Sequence, residues 1–460
     1  MYDIIIIGAG TAGQAAYKEA IKHTSNILII NHGPWDTTCA RVGCMPSKVL
    51  ISAANQLHDA QSLDKFGISA QLETDTKFVM SHVRQFRDRF SQSTLKDVAR
   101  WEASHKISGH AHFIDGSTIE VNQERYQARS FILAVGSTPS FDLAWKKELG
   151  SKLITSDDIF ELEQLPKSIA VIGSGVIALE LAQALQRLGV KTTIFARSRK
   201  VGTLTSPTLQ TLAQEILSRE IEFKFEVLPT HVQNIDAGVK ISFREDDQDQ
   251  SLIVDYLLVA TGRQTLLVSL KLENIDSKFS ELKNLPVHPE TKQLDEYPIF
   301  IVGDAHTTTP IQHEAAHEGR RAVLNCLNLQ QRQNIRNLTP IGIVFCEPEM
   351  ALIGQNYQQL ENQDVPFVTG YVSYERQGRA QVLAKNYGAL EVYVHAETRK
   401  ILGAELLMTS AEHIAHLLCW MISEDCTLDQ LLEKPFYHPT LEEGLRTALK
   451  HARRQLNAIQ

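Results

Sequence analysis

The feature that most constrains this chain is a short apolar run that ends in three spaced glycines, and it occurs twice. Residues 3–13 read Asp-Ile-Ile-Ile-Ile-Gly-Ala-Gly-Thr-Ala-Gly. Four consecutive β-branched residues predict a strand buried on both faces, as in a parallel sheet. Gly8, Gly10 and Gly13 then form a G-x-G-x-x-G turn opening a helix predicted over Gln14 to Lys22. In such a turn the first glycine permits the tight bend, the second lets backbone approach a pyrophosphate, and the third lets helix and strand pack closely. A diphosphate would sit on the helix N-terminus, where free N–H groups and the dipole favour negative charge. A second strand, Asn26 to Ile30, follows where the motif needs it. The pattern returns at Ile169-Ala170-Val171-Ile172, Gly173-Ser174-Gly175-Val176-Ile177-Ala178 and a helix predicted through Leu188. Ala178 is a tolerated small residue at the third position. Two fingerprints in one chain imply two dinucleotides.

The strand ends choose the ligand. The acid expected after the second strand is absent; Asn31 takes its place, with His32 beside it, and offers a ribose hydroxyl neutral rather than charged acceptors. In the second fold, Lys191 to Phe195 ends in Ala196-Arg197-Ser198-Arg199-Lys200. An NAD site usually places Glu or Asp near Ala196, whereas Arg197 and its basic neighbours suit a 2′-phosphate. A solvated basic turn is the alternative. Further on, Pro298 to Val302 predicts a strand ending at Gly303-Asp304 before a helix from about Ile311, and Asp304 there can hold polyol hydroxyls of a bound cofactor or serve as a plain turn residue.

Between the two fingerprints lies Thr37-Thr38-Cys39-Ala40-Arg41-Val42-Gly43-Cys44-Met45-Pro46-Ser47-Lys48. A five-residue separation allows a disulfide to close with modest backbone adjustment. The alternatives are two ordinary buried cysteines or half of a metal site. A zinc site needs a second ligand pair, and Cys326, Cys346, Cys419 and Cys426 do not form a convincing one. From about Ser47 to Ala103 the pattern is helical, with Val79, Val83, Phe86 and Phe90 as one apolar stripe, read as scaffold. Residues 106–135 turn to β, with Asp115-Gly116 as a hairpin signal and a strand Ser130 to Val135 ending at Gly136. Val254 to Ala260 is another apolar strand, closing on Thr261-Gly262-Arg263. From Thr339 the pattern is mixed β and α. Near the end, His438 is followed five residues later by Glu443, a base with its orienting carboxylate if a thiol is there to be served, and otherwise a structural histidine.

Composition narrows the setting. At 460 residues the chain holds two to four domains, and a formal charge of −8 argues against a nucleic-acid or anionic-membrane surface. No apolar run approaches the ~20 residues that span a bilayer, and Met1-Tyr2-Asp3 leads directly into a strand rather than into a secretory signal. Six cysteines are too few for a secreted disulfide scaffold. A cytoplasmic enzyme is the expectation.

With these residues assembled, the chain resembles the flavin-dependent pyridine nucleotide–disulfide oxidoreductases, nearest to the dihydrolipoyl dehydrogenases and glutathione reductases. The resemblance runs from Asp3 to about Arg446, through six motifs in order. It implies an α/β fold: two doubly wound Rossmann-type nucleotide-binding domains plus a C-terminal α+β dimerisation domain. The boundaries expected are 1–148 for the first part of the FAD domain (with a helical insertion at about 50–103), 149–268 for the NAD(P) domain, 269–336 completing the FAD domain, and 337–460 for dimerisation. It implies that Gly8, Gly10, Gly13 and Asp304 hold FAD, with Asn31, Gly136 and Gly262 among the cofactor-binding positions, and that Gly173, Gly175, Ala178 and Arg197 serve NAD(P)H. Cys44 would lie against the flavin and Cys39 would exchange with substrate, the two forming a redox-active disulfide. Lys48 is similar to the family's lysine near the flavin, with Glu180 as its partner. His438 and Glu443 match an acid–base pair lent to the other subunit of a homodimer. Val176 stands where glutathione reductases carry a tyrosine, which favours the dihydrolipoyl group, while Phe436-Tyr437 before the histidine and Arg197 depart from that group. The substrate expected is a small dithiol or disulfide, or a lipoyl-type group. A glutathione reductase-like enzyme and a non-enzymatic flavoprotein subunit stay open beside it.

Overall fold

A computed structural model describes residues 1–306, 310–328 and 338–459. The expected end of the central segment, residue 336, lies outside the described residues. The chain forms two compact units: Met1–Pro46, His82–Ser140 and Gly262–Asn337 make the first, and Ser47–Ser81, Phe141–Thr261 and Leu338–Gln460 the second.

In the first unit a parallel sheet runs in the order Lys106–Ser108, Ile27–Asn31, Tyr2–Ile7, Glu124–Leu133, with Ile299–Ile301 also paired to Glu124–Leu133. The β-branched strand Tyr2–Ile7 is central, and Ile4, Ile5 and Ile6 are fully buried because both faces are covered. Ile7 registers with Ile30 and with Leu133, and Leu133 with Ile301. That register brings the carboxyl ends of four strands level, so Gly8, Asn31, Gly136 and Asp304 follow at one edge of the sheet. The helices Thr11–Ala20 and Gln312–Leu327 pack on one another, and Gly319 permits it: a Cβ there would meet Ala12 O at 2.2 Å. The Asp115-Gly116 hairpin joins Ala111–Asp115 to Thr118–Val121, antiparallel as its turn chemistry predicts.

The second unit repeats the parallel order with Glu222–Phe225, Lys191–Ala196, Ser168–Ile172, Tyr256–Val259 and Leu153–Thr155. The expected single strand Val254 to Ala260 is divided. Val254 closes an antiparallel strand Gln248–Val254, and Asp255 leaves the ladder to accept the backbone N–H groups of Lys167 and Ser168. Its C-terminal part is a five-stranded antiparallel sheet in the order Ile341–Val344, Glu349–Gly354, Ile401–Met408, Ala389–His395, Phe367–Ser373. The helices Ala411–Ser423 and Glu443–Ile459 cover it over an apolar core that includes Leu406, Leu418 and Leu449.

The long helical stretch begins earlier than predicted and is interrupted. One helix runs Cys44–Gln61 and another Thr76–Ala99, with a short turn at Leu63–Phe66 between them. Pro46 is tolerated because the first turn has no N–H to lose. Gly67, at φ +74, ends the Leu63–Phe66 turn in the left-handed conformation that glycine adopts without penalty. Of the predicted stripe, Val83 is buried, while Val79, Phe86 and Phe90 are half-buried.

Candidate active site

The first glycine turn is shaped by what its glycines lack. Gly8 takes φ +106, and a Cβ there would meet Ala134 O at 2.3 Å; a Cβ on Gly13 would meet Gly8 O at 1.8 Å. These two glycines let strand and helix close on each other. Gly10 is different: a Cβ there meets nothing within 4 Å, and as the N-cap of helix Thr11–Ala20 it offers no side-chain hydrogen bond. A helix N-terminus without a side-chain cap, beneath open space, fits a pyrophosphate. The second turn repeats this. Gly173 at φ +116 would clash with Ala260 O at 2.6 Å, Gly175 caps Val176–Arg187 without a side chain and under open space, and Ala178 is fully buried.

Asn31 is occupied. Its Oδ1 accepts the Ala9 N–H at 2.9 Å, and its Nδ2 donates to Gly33 O and Pro34 O. It is 8 % exposed. A side chain read from the sequence as a ribose partner is thus largely spent holding the glycine turn to its own strand. Gln14 adds a second tie, donating to Ala9 O and to Trp35 O. Asp304 sits half-buried in a short 3-10 turn, Gly303–Ala305. Burial pushes its carboxyl above the ordinary range, opposed by the Arg263 charge and the Ser137 hydrogen bond. Arg263 holds Ser137 through its Oγ and carbonyl, both at 2.9 Å, and Ser137 Oγ donates to Asp304 at 3.4 Å. The flanking glycines, Gly136 at φ +73 and Gly262 at φ +121, make the turns on either side of this paired strand, Ser137–Pro139 with Arg263–Thr265. Sequence reading missed the contribution of Ser137 and Arg263, since no local spacing links them to Asp304.

The cysteine segment is built around a reversal. Thr37 caps the short helix Thr38–Arg41 by accepting the Ala40 N–H, and Arg41 Nε pairs with the buried Asp36 at 3.1 Å. A Cβ on Gly43 would meet Thr38 O at 3.0 Å and Cys39 Cα at 3.1 Å, so the chain folds back directly over Cys39. Cys39 is half-buried and Cys44 is exposed. Cys44 is the first residue of helix Cys44–Gln61, where the dipole favours a thiolate. Lys48 follows one turn later on the same face.

In the second unit Lys48 Nζ donates to Glu180 Oε2 at 2.7 Å, and the Glu180 side chain is 5 % exposed. Residues 132 positions apart are therefore brought together as the resemblance implies. His438 Nδ1 lies 3.0 Å from Glu443 Oε2, and its side chain is 80 % exposed. The Glu443 carboxyl is held below its usual range by the His438 hydrogen bond, with the Thr440 N–H adding to it. The loop carrying the histidine is fastened from below: Tyr374 donates to Leu441 O and Gln377 to Thr440 O. Arg197 is exposed, with no carboxylate partner among the described residues. Arg199 is engaged differently, lying over the Phe225 ring at 5.2 Å and near Glu226 at 3.9 Å.

Comparison with known proteins places the chain by sequence and fold. A Staphylococcus aureus mercuric reductase is 27 % identical over 97 % of this chain and 82 % of its own length. A Staphylococcus aureus dihydrolipoyl dehydrogenase is 25 % identical over 98 % of this chain and 96 % of its own. Among solved structures, LpdA from Mycobacterium tuberculosis superposes with a TM-score of 0.82 at 19 % identity, covering 98 % of this chain and 99 % of its own. The HOCl-induced flavoprotein disulfide reductase RclA from Escherichia coli, as its Cu(II) complex, gives 0.78 at 18 % identity, with the same coverage. Residues 341–449 match the dimerisation domain of the pyridine nucleotide-disulphide oxidoreductases, which supports a homodimer. No helix among the described residues is long and apolar enough to cross a membrane. Residues 2–319 match the family described as pyridine nucleotide-disulphide oxidoreductase, and the chain belongs to that family of enzymes, which work with FAD and NAD(P)H.

Proposed function

We propose that the chain is a dihydrolipoyl dehydrogenase-type enzyme in which Cys39 and Cys44 exchange electrons with a small dithiol or disulfide. The observation that supports this most is the Cys39–Lys48 segment. It places two thiols on either side of a tight reversal, the second at a helix N-terminus, with an ion-paired lysine one turn on. Gly8, Gly10, Gly13, Gly136, Gly262 and Asp304 would hold FAD, with Asn31 keeping the glycine turn in shape. Bound there, FAD supplies two-electron exchange between nicotinamide and dithiol.

The protein residues handle the sulfur and the protons. In the reducing direction the Cys39 thiolate attacks a substrate disulfide, one S–S bond breaks as another forms, and His438 gives its proton to the departing thiolate. The Cys44 thiolate then attacks the Cys39 sulfur, breaking the mixed disulfide, releasing the second substrate sulfur as a thiolate and closing the Cys39–Cys44 disulfide. Oxidation of a dithiol runs these steps backwards. Glu443 orients the imidazole through its contact with Nδ1. The 80 % exposure of His438 in a single chain, with a dimerisation domain around it, supports a base that serves the partner's thiols.

The coenzyme side supports a second reading, an NADPH-dependent reductase of another small disulfide. Ala196 offers no carboxylate to hold a ribose 2′-hydroxyl or to repel a 2′-phosphate, and Arg197 is available to pair with that phosphate. Steady-state assays decide between them, with lipoamide, glutathione disulfide and mercuric ion each tested against NADH and NADPH. Lipoamide turnover is expected, with NADPH used at least as well as NADH and Arg197→Ala lowering the NADPH specificity constant alone. Turnover of glutathione disulfide without lipoamide would establish the second reading. Strong NADH preference with Arg197→Ala silent would make Arg197 a solvated turn residue.

A further inference from the structure

Phe345 follows the strand Ile341–Val344 and touches both halves of the Lys48–Glu180 pair. Its backbone N–H donates to Glu180 Oε1 at 2.9 Å, and Lys48 Nζ lies 4.7 Å from the centroid of its ring. The two contacts do different work. A buried ion pair is costly unless its remaining lone pairs are hydrogen-bonded, and the Phe345 N–H bonds the Glu180 oxygen that Lys48 does not. The lysine is the loose partner, since its ammonium is a compact charge on a flexible stem and one oxygen contact leaves it free to swing. The negative face of an aromatic ring narrows that freedom by attracting the ammonium to a defined position. Phe345 itself is fixed by its neighbours: Val344 and Cys346 are buried on either side at 0 % and 2 % exposure.

We propose that Phe345 is a positioning residue, setting where the Lys48 ammonium points by holding its partner with the main chain and its charge with the ring. The proposal rests on the reading that Lys48 faces the flavin. A positive group there stabilises the negative charge that reduction adds, and so raises the flavin's midpoint potential.

The test is the flavin midpoint potential of purified, flavin-loaded protein, measured for wild type, Lys48→Met, Phe345→Leu, Phe345→Met and Phe345→Tyr. Flavin content and thermal unfolding confirm that each variant is folded. Lys48→Met is expected to lower the potential, Phe345→Leu and Phe345→Met to lower it part of the way, and Phe345→Tyr to restore the wild-type value. Coenzyme-driven flavin reduction should slow about twofold to fivefold in the Leu and Met variants, the range for one partly exposed cation–π contact. A ring that only fills space would change the melting temperature and leave the potential unmoved. If Lys48→Met shifts the potential while Phe345→Leu and Phe345→Met do not, the positioning role is overturned. If Lys48→Met is itself silent, the reading of Lys48 fails, and this proposal with it.

Discussion

Cys39 and Cys44 differ in setting although they lie only five positions apart. Cys39 lies half-buried in the short helix Thr38–Arg41, with Gly43 folded against its Cα, whereas Cys44 opens a helix of 18 residues. The dipole of the longer helix acts on Cys44 and favours its thiolate. The different settings fit the different roles proposed for the two thiols. Cys44→Ser should abolish the long-wavelength absorption that a thiolate against a flavin gives on two-electron reduction. Cys39→Ser should keep that band and lose disulfide–dithiol exchange. Anaerobic reductive titration of both variants checks this. A band lost in Cys39→Ser and retained in Cys44→Ser would reverse the assignment.

The glycine turns show how one motif combines two constraints. Gly13→Ala would put a methyl group 1.8 Å from Gly8 O, so strand and helix must separate. A loss of about 1–3 kcal/mol of stability is expected, the range for an overpacked core, together with loss of flavin. Gly10→Ala meets nothing within the chain and keeps an accessible backbone angle, φ −71. Its apoprotein should stay within about 1 kcal/mol of wild type, as for an N-cap change, while FAD affinity falls. Chemical denaturation of apoprotein and flavin titration separate the two; a Gly10→Ala protein with undiminished FAD affinity would refute the pyrophosphate reading. Such turns were legible in the sequence because their causes are local: a β-branched run, three spaced glycines and a helix all fall within about twenty residues. What surrounds them was not. Asn31, read from the sequence as a ribose partner, also ties the glycine turn down through hydrogen bonds with Ala9 and Pro34 that no local spacing announces. The hold on Asp304 comes from Ser137, 167 residues away, and the Phe345 N–H reaches Glu180 across 165. Contacts of that range leave no periodicity in a sequence.

Across the whole molecule, the twice-repeated parallel sheet accounts for two nucleotides and the C-terminal antiparallel sheet for the region matched by the dimerisation domain. The pairing of His438 with Glu443 was legible from a five-residue spacing, but the cross-subunit role proposed for it concerns two chains together. The shared-site account requires an exposed base on one chain and an exchanging thiol on the other. His438→Ala should slow dithiol exchange by about 10²–10⁴-fold, the effect of a lost acid–base group, and Cys39→Ser should abolish it. The most direct test mixes these two inactive proteins, lets their subunits exchange, and measures exchange activity in the isolated mixed dimer. If His438 acts across the interface, the Cys39→Ser chain lends its intact histidine to the intact thiols of the His438→Ala chain. One wild-type site is rebuilt, and close to half of wild-type activity returns. A mixed dimer no more active than its parents would contradict the account.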